Sequence, residues 1–148
     1  DIAAIARKWV ETFARLETRM LSEMDSLLTD NFEFVCPGDP QMAPFVGTWK
    51  GTKGLQRWLD LFFGFFEKTV NEEVEYMVGE GTVIARWLAT CTYQGVQCPP
   101  VRINMHFQFE NGLIARIVDD YDTHTGSVEV SKAKAHLQDE NLTDDSCE

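Results

Sequence analysis

The sequence is short of positive charge: 13 Lys and Arg stand against 24 Asp and Glu, a formal net charge of -11. That deficit argues against nucleic acid or an anionic membrane as a partner, since both are held by clustered Lys and Arg. No apolar run approaches the ~20 residues of a bilayer-spanning helix. No signal-peptide pattern opens the chain, so a soluble cytoplasmic protein is expected. The four cysteines, Cys36, Cys91, Cys98 and Cys147, lack the close Cys and His spacings of a zinc site. Cys91 and Cys98 can meet across a hairpin, although reduced core thiols are the expected state. Neither a metal nor an organic cofactor is implied, and no internal repeat or second domain is visible.

What the sequence has in quantity is aromatic carbon, with ten Phe and four Trp in 148 residues. A chain of this length makes one domain with a real core. Its clearest stretch is Val101 to His124. From Val101 the odd positions are apolar (Val101, Ile103, Met105, Phe107, Phe109) and the even ones polar, the alternation of a half-buried strand. Asn111-Gly112 supplies a two-residue hairpin turn, and the second strand runs into the acidic cluster Asp119-Asp120-Tyr121-Asp122.

Taken in order, residues 2–20 carry a helical stripe of Ile2, Ile5, Trp9, Phe13, Leu16 and Met20. A short second helix is expected after it, with Ser22 and Asp25 as a capping box. Residues 31–36 alternate as a strand that Pro37-Gly38-Asp39-Pro40 ends. The long loop from Pro37 to Gly51, carrying Pro44, Phe45 and Trp49, is expected to lie over the mouth of a cavity. A third helix is predicted over 52–67, with Leu55, Trp58, Leu59, Phe62 and Phe66 as its stripe. Strands follow at 70–79, 82–93, 101–110 and 113–122, with Glu80-Gly81 a tight turn and 94–100 a looser connection. From Gly126 the chain turns polar and acidic. Residues 126–148 read as a tail that is loosely docked or disordered, with one helical turn near 132–137.

Helices, an early strand and a run of antiparallel strands make an α+β pattern with a strongly curved sheet. Over residues 1–125 this order resembles the cone-shaped nuclear transport factor two-like superfamily, which includes SnoaL-like polyketide cyclases, ketosteroid isomerases and limonene epoxide hydrolases. The resemblance is carried locally by the strand and loop around Phe32 to Pro37 and by the FQFENGLI segment with its acidic end. It implies an apolar cavity between sheet and helices, and pairing of sheets into a homodimer.

Asp119 is the first site candidate. An Asp seven residues after Gly112 resembles the cavity acid of SnoaL-like cyclases and epoxide hydrolases, and Asp119-x-x-Asp122 resembles the epoxide-hydrolase ending. Strand parity puts Asp119 on the face of Ala115, Ile117 and Tyr121, where desolvation would raise its pKa toward the range useful for proton transfer. Arg86 resembles the Arg of the hydrolase Arg-x-Asp pair, but Leu88 stands where the Asp would be. Alternation leaves Arg86 on the polar face as the alternative to a pocket position. Cys36-Pro37 and Met105 occupy positions where ketosteroid isomerases carry their two acids, which argues against that mechanism. Cys36 is read as a cavity-lining thiol.

Tyr76, in phase with Val74 and Val78, and Tyr121 are the hydroxyls proposed to orient a substrate oxygen. Phe13, Phe34, Trp49, Trp58, Phe62 and Phe107 are cavity-lining candidates beside Cys36, Arg86 and Met105. His106 is expected to point outward, and His124 and His136 to be surface residues. Three functions stay open: a cofactor-free acid/base enzyme of SnoaL-like type (cyclisation, isomerisation or dehydration) acting on a small hydrophobic oxygenated molecule, a non-catalytic binder of such a molecule, and a protein-interaction module.

Overall fold

A computed structural model describes residues 1–146; Cys147 lies outside them. The first helix, α1 (Ile2–Leu16), is capped by Asp1, whose carboxylate accepts a hydrogen bond from the Ala3 amide at 2.9 Å. It buries Ala6, Trp9, Val10, Thr12 and Phe13, which lie on one side of a 3.6-residue helix. Glu17, at φ 54°, ends it. A short helix α2 (Leu21–Met24) follows between single 3₁₀ turns. Ser22 does not cap it: its hydroxyl donates to the Arg19 carbonyl at 2.8 Å, and the N-cap position is Met20.

The strand β1 (Leu28–Cys36) starts earlier than the alternation suggested, and the following loop hides a short strand, β2 (Gly47–Lys50), paired antiparallel to it. The helix α3 (Gly51–Phe65) buries Leu55, Trp58 and Leu59. Four long strands come next: β3 (Lys68–Gly79), β4 (Thr82–Tyr93), β6 (Val101–Glu110) and β7 (Leu113–Tyr121), with a two-residue strand β5 (Val96–Gln97) after β4. The connection at 94–100 is tighter than its sequence suggested. Gln94 and Gly95 both adopt positive φ, 46° and 81°, and fold β5 back on β4 as a hairpin.

The strand order is β2-β1-β7-β6-β4-β3, with β5 on β4. Every pairing is antiparallel except β1 with β7. The sheet curls strongly, and bulges contribute to the bend: register shifts occur between Glu72 and Glu75 on β3 and at Ala115 on β7. α1 and α3 lie in its concave face. Trp9 packs on Phe32, Phe34 and Phe107 with ring centroids 6.1–6.3 Å away, and Trp58 sits 4.3 Å from Phe34.

The C-terminal segment departs most from expectation. Instead of one helical turn it forms α4 (Thr123–Ser146), with Val130 and Ala133 buried. Asp122 starts it, accepting from the Thr125 amide at 3.0 Å and the Thr125 hydroxyl at 2.7 Å. Lys134 ties the helix down by donating to the Met42 carbonyl at 3.3 Å, with its ammonium over the Phe65 and Tyr93 rings. A mostly polar segment needs few apolar anchors to dock when it is held in this way.

Candidate functional site

The inward face of the sheet decides where the site lies. On β7 the inward residues are Ile117, Asp119 and Tyr121, paired across β6 to Phe107, Met105 and Ile103. Parallel pairing of β1 with β7 sets Phe34 beside Ile117. Two residues further along both strands, Cys36 and Asp119 are neighbours. A register shift before Arg116 breaks the alternation upstream, so Ile114, not Ala115, is the buried residue there. Asp119 keeps its inward phase because the bulge precedes it.

A cavity of about 100 Å³ opens on this wall. Its floor is Met105, Ile103, Val101, Trp87 and Ala89; Phe13 and α3 residues Trp58 and Phe62 face them; Met42 and Phe45 come from the loop; Gly126 and Val130 from α4. The loop over the mouth was expected. The contribution of α4 was not, since only pairing and docking bring residues 126–130 to this wall. Thr69, Asn71, Cys91 and Cys98 also line it and were missed. Their polar or small side chains carry no periodic signal, and only the register of β3 on β4 (Thr69 with Cys91, Asn71 with Ala89) places them.

Of the residues singled out from sequence, Phe13, Cys36, Trp58, Phe62, Met105, Asp119 and Tyr121 share this cavity. Five others do not. Phe34 and Phe107 are fully buried core beneath Trp9. Trp49 is half-buried on β2, its indole donating to the Phe45 carbonyl at 2.9 Å. Arg86 is exposed on the outer face, paired across to Glu75 and Asn104. Tyr76 packs toward α1 with the Arg7 guanidinium 4.6 Å above its ring. Val74, within the bulge on β3, and Val78, near the strand's end, are exposed instead of buried.

The acidic cluster separates into three environments. Asp120 is exposed, Asp122 caps α4, and Asp119 is buried, 9% exposed, with an Oδ1 that accepts no hydrogen bond among the described residues. The Thr125 amide and hydroxyl hold the Asp122 carboxyl below the usual carboxylate range. Burial, helped by the charge of Asp120, pushes Asp119 up to about 7. Near neutral pH it therefore has both proton-holding and proton-accepting forms at hand.

The surroundings of Asp119 are soft. Burial raises the Cys36 thiol well above its ordinary value, and Asp119 adds to the effect. Cys91 is pushed up to about 12 by burial and by Cys98 and Asp119. Such thiols stay protonated and are poor nucleophiles. Tyr121 is raised by burial first, then by Cys36 and Asp119. Its hydroxyl donates to the Pro37 carbonyl at 2.7 Å, so that proton is committed to holding the loop. Trp58 Nε1 meets no acceptor in regular hydrogen-bond geometry, its polar contact being a weak one to the Cys36 sulfur.

Gly38 makes the Tyr121 tie possible. At φ +137° it occupies a region that L residues rarely adopt, and a Cβ there would stand 2.8 Å from the Tyr121 hydroxyl oxygen. Gly38→Ala should cost about 1–3 kcal/mol, visible as a melting temperature lower by several degrees. An unchanged melting temperature would show that the loop accommodates the methyl group freely.

Comparison with known proteins agrees with this architecture. A search of curated protein sequences finds no significant match. Among solved structures, an NTF2-like protein from Burkholderia xenovorans superposes with a TM-score of 0.73 at 15% identity, over 87% of this chain and 95% of that one. TerC, co-crystallised with polyporic acid, gives 0.72 at 16% identity over 86% and 98%. A candidate polyketide cyclase from Sinorhizobium meliloti gives 0.61 at 19% identity over 79% and 94%. At these identities the likeness is one of fold. The SnoaL-like domain profile matches residues 6–117, most of the cone and the start of the Asp119 strand, and the chain belongs to that family.

Proposed function

We propose that the protein is a cofactor-free acid/base enzyme whose Asp119 moves a proton on a small, hydrophobic, oxygenated molecule held in the aromatic cavity. The observation that carries this reading is a buried carboxyl, with a pKa of about 7 and an Oδ1 that has no partner among the described residues, in a pocket lined mainly by apolar side chains. The ionised Asp119 would take a proton from carbon next to a carbonyl; the resulting acid would return it to a neighbouring carbon in an isomerisation, to the oxygen of the carbonyl that the carbanion attacks in a cyclisation, or to a hydroxyl leaving as water in a dehydration. The Trp58 indole N–H is the donor available to the developing oxyanion. The apolar walls keep water from competing for the proton.

Deuterium exchange tests this without a known substrate. A panel of small cyclic ketones and hydroxyaryl ketones is incubated with the protein in D₂O and followed by NMR. Exchange next to the carbonyl is expected with the native chain and not with Asp119→Asn. Equal exchange in both, or none in either, overturns the assignment.

One observation favours a second reading, a non-catalytic binder: with the Tyr121 proton given to Pro37, Asp119 has no second proton carrier beside it. Ligand retained in native mass spectrometry, without exchange, would decide for it.

We further propose a homodimer through the outer sheet face. Strand registers align Met77, Ile84, His106 and Val118 in a row across β3, β4, β6 and β7, and Met77 is 48% exposed. Light scattering at micromolar concentration should give twice the chain mass; a monomer mass overturns this.

A further inference from the structure

The polar atoms of the cavity are unevenly matched. Two buried acceptor oxygens on its wall, Asp119 Oδ1 and Asn71 Oδ1, lack a hydrogen-bond partner among the described residues. Against them stands the Trp58 Nε1 donor, while the Thr69 hydroxyl, which can give or take, contacts the Cys91 sulfur. Buried polar groups left unpaired cost free energy, so a fitting occupant is one that brings donors. Among the described residues the lining contains no Lys, Arg or His.

Charge points the same way. The ionisable groups facing Asp119 are acids on every side: Cys36 from β1, Cys91 from β4 and Tyr121 on its own strand. Phe13 from α1 and Trp58 and Phe62 from α3 bring no charge. Lys134 of α4 is occupied outside the lining set, on the Met42 carbonyl and two rings. An anionic head group would enter a mainly apolar site with no cation among the described lining residues, beside a carboxyl. An ammonium would meet one buried carboxylate among the rings of Trp58, Trp87, Phe62 and Tyr121, side chains of the kind that attract a desolvated cation.

We propose that this cavity binds small arylalkyl amines as ammonium ions paired with the Asp119 carboxylate, and refuses the corresponding carboxylates. This inference rests on the reading of the cavity as the ligand site and adds a head group to the molecules it takes. If the amine enters unprotonated while Asp119 is protonated, the proton passes from carboxyl oxygen to nitrogen: one O–H bond breaks and one N–H bond forms. Nothing else is consumed.

The test compares benzylamine, benzyl alcohol and benzoate, which share a ring and differ in the head group, by calorimetry on the full chain at pH 8. Benzylamine should bind at least about tenfold tighter than benzyl alcohol, and benzoate should not bind. In Asp119→Asn, shown folded by its thermal transition, the amine should fall to the level of the alcohol. Benzoate binding as tightly as benzylamine overturns the proposal, as does an amine affinity unchanged in Asp119→Asn. If none of the three binds while deuterium exchange is catalysed, only the amine inference fails. If neither binding nor exchange occurs, the ligand-site reading fails with it.

Discussion

Asp119→Asn should raise the melting temperature by roughly 10 °C at pH 8 and change it little at pH 4. The unfolded carboxyl ionises as pH passes about 3.8, whereas the folded one holds its proton until about 7. Between those values the folded state binds more protons, so stability falls as pH rises across the window, and the full loss is present above it. A window of that width corresponds to on the order of 3–5 kcal/mol, and a chain of this size gains about 2–4 °C per kcal/mol. Asparagine keeps the shape and removes the charge, so the variant escapes the loss. The same substitution should abolish deuterium exchange, which would make Asp119 a residue kept at the expense of stability. Equal melting temperatures for the two proteins at pH 8 would mean that the carboxyl is solvated or paired in solution, and the cavity argument would go with it.

Trp58→Ala should be the most damaging single truncation near the site. Trp58 is 1% exposed and touches four aromatic rings: Phe34 at 4.3 Å, Phe62 stacked at 4.9 Å, Phe13 at 6.0 Å and Phe45 at 6.5 Å. Deleting a buried indole leaves a void on top of the lost burial, a cost of about 3–5 kcal/mol. Part of that void merges with the cavity, whose wall Trp58 forms, so ligand contacts should weaken as well. Chemical denaturation should show a lower midpoint with an unchanged slope. A loss under about 1 kcal/mol would mean that the neighbouring rings close the gap. Trp58→Phe separates the two roles: it keeps much of the packing but removes the indole N–H proposed to hold the oxyanion.

These two residues show how unevenly the site could be read in advance. Asp119 was legible because a lone acid in phase with Ile117 and Tyr121 breaks an apolar face, and the bulge in its strand lies upstream. Tyr76 followed the same reasoning and led elsewhere. Its ring does face inward, paired with the buried Ala85, but at a part of the sheet where Arg7 of α1 lies over it and not at the cavity. Phe34 and Phe107 were expected at the cavity because buried aromatics and cavity aromatics look alike in sequence. Which of them borders empty space depends on how Trp9 fills the cone. Thr69, Asn71, Gly126 and Val130 gave no signal, because neither polar residues on an edge strand nor apolar residues in an acidic segment announce a shared wall.

Period-2 alternation, helical stripes and turn dipeptides, all local consequences of backbone geometry, determined by themselves the helices before β3, most strands and the α+β class. They also placed a carboxyl on an apolar strand face. Tertiary structure alone decided that α4 closes one side of the cavity, that Tyr121 commits its proton to the loop, and that Asp119 Oδ1 stays without a partner among the described residues. Each of these depends on which groups, distant in sequence, meet in a water-poor space. Burial there sets the pKa of a carboxyl, and local pattern cannot anticipate it.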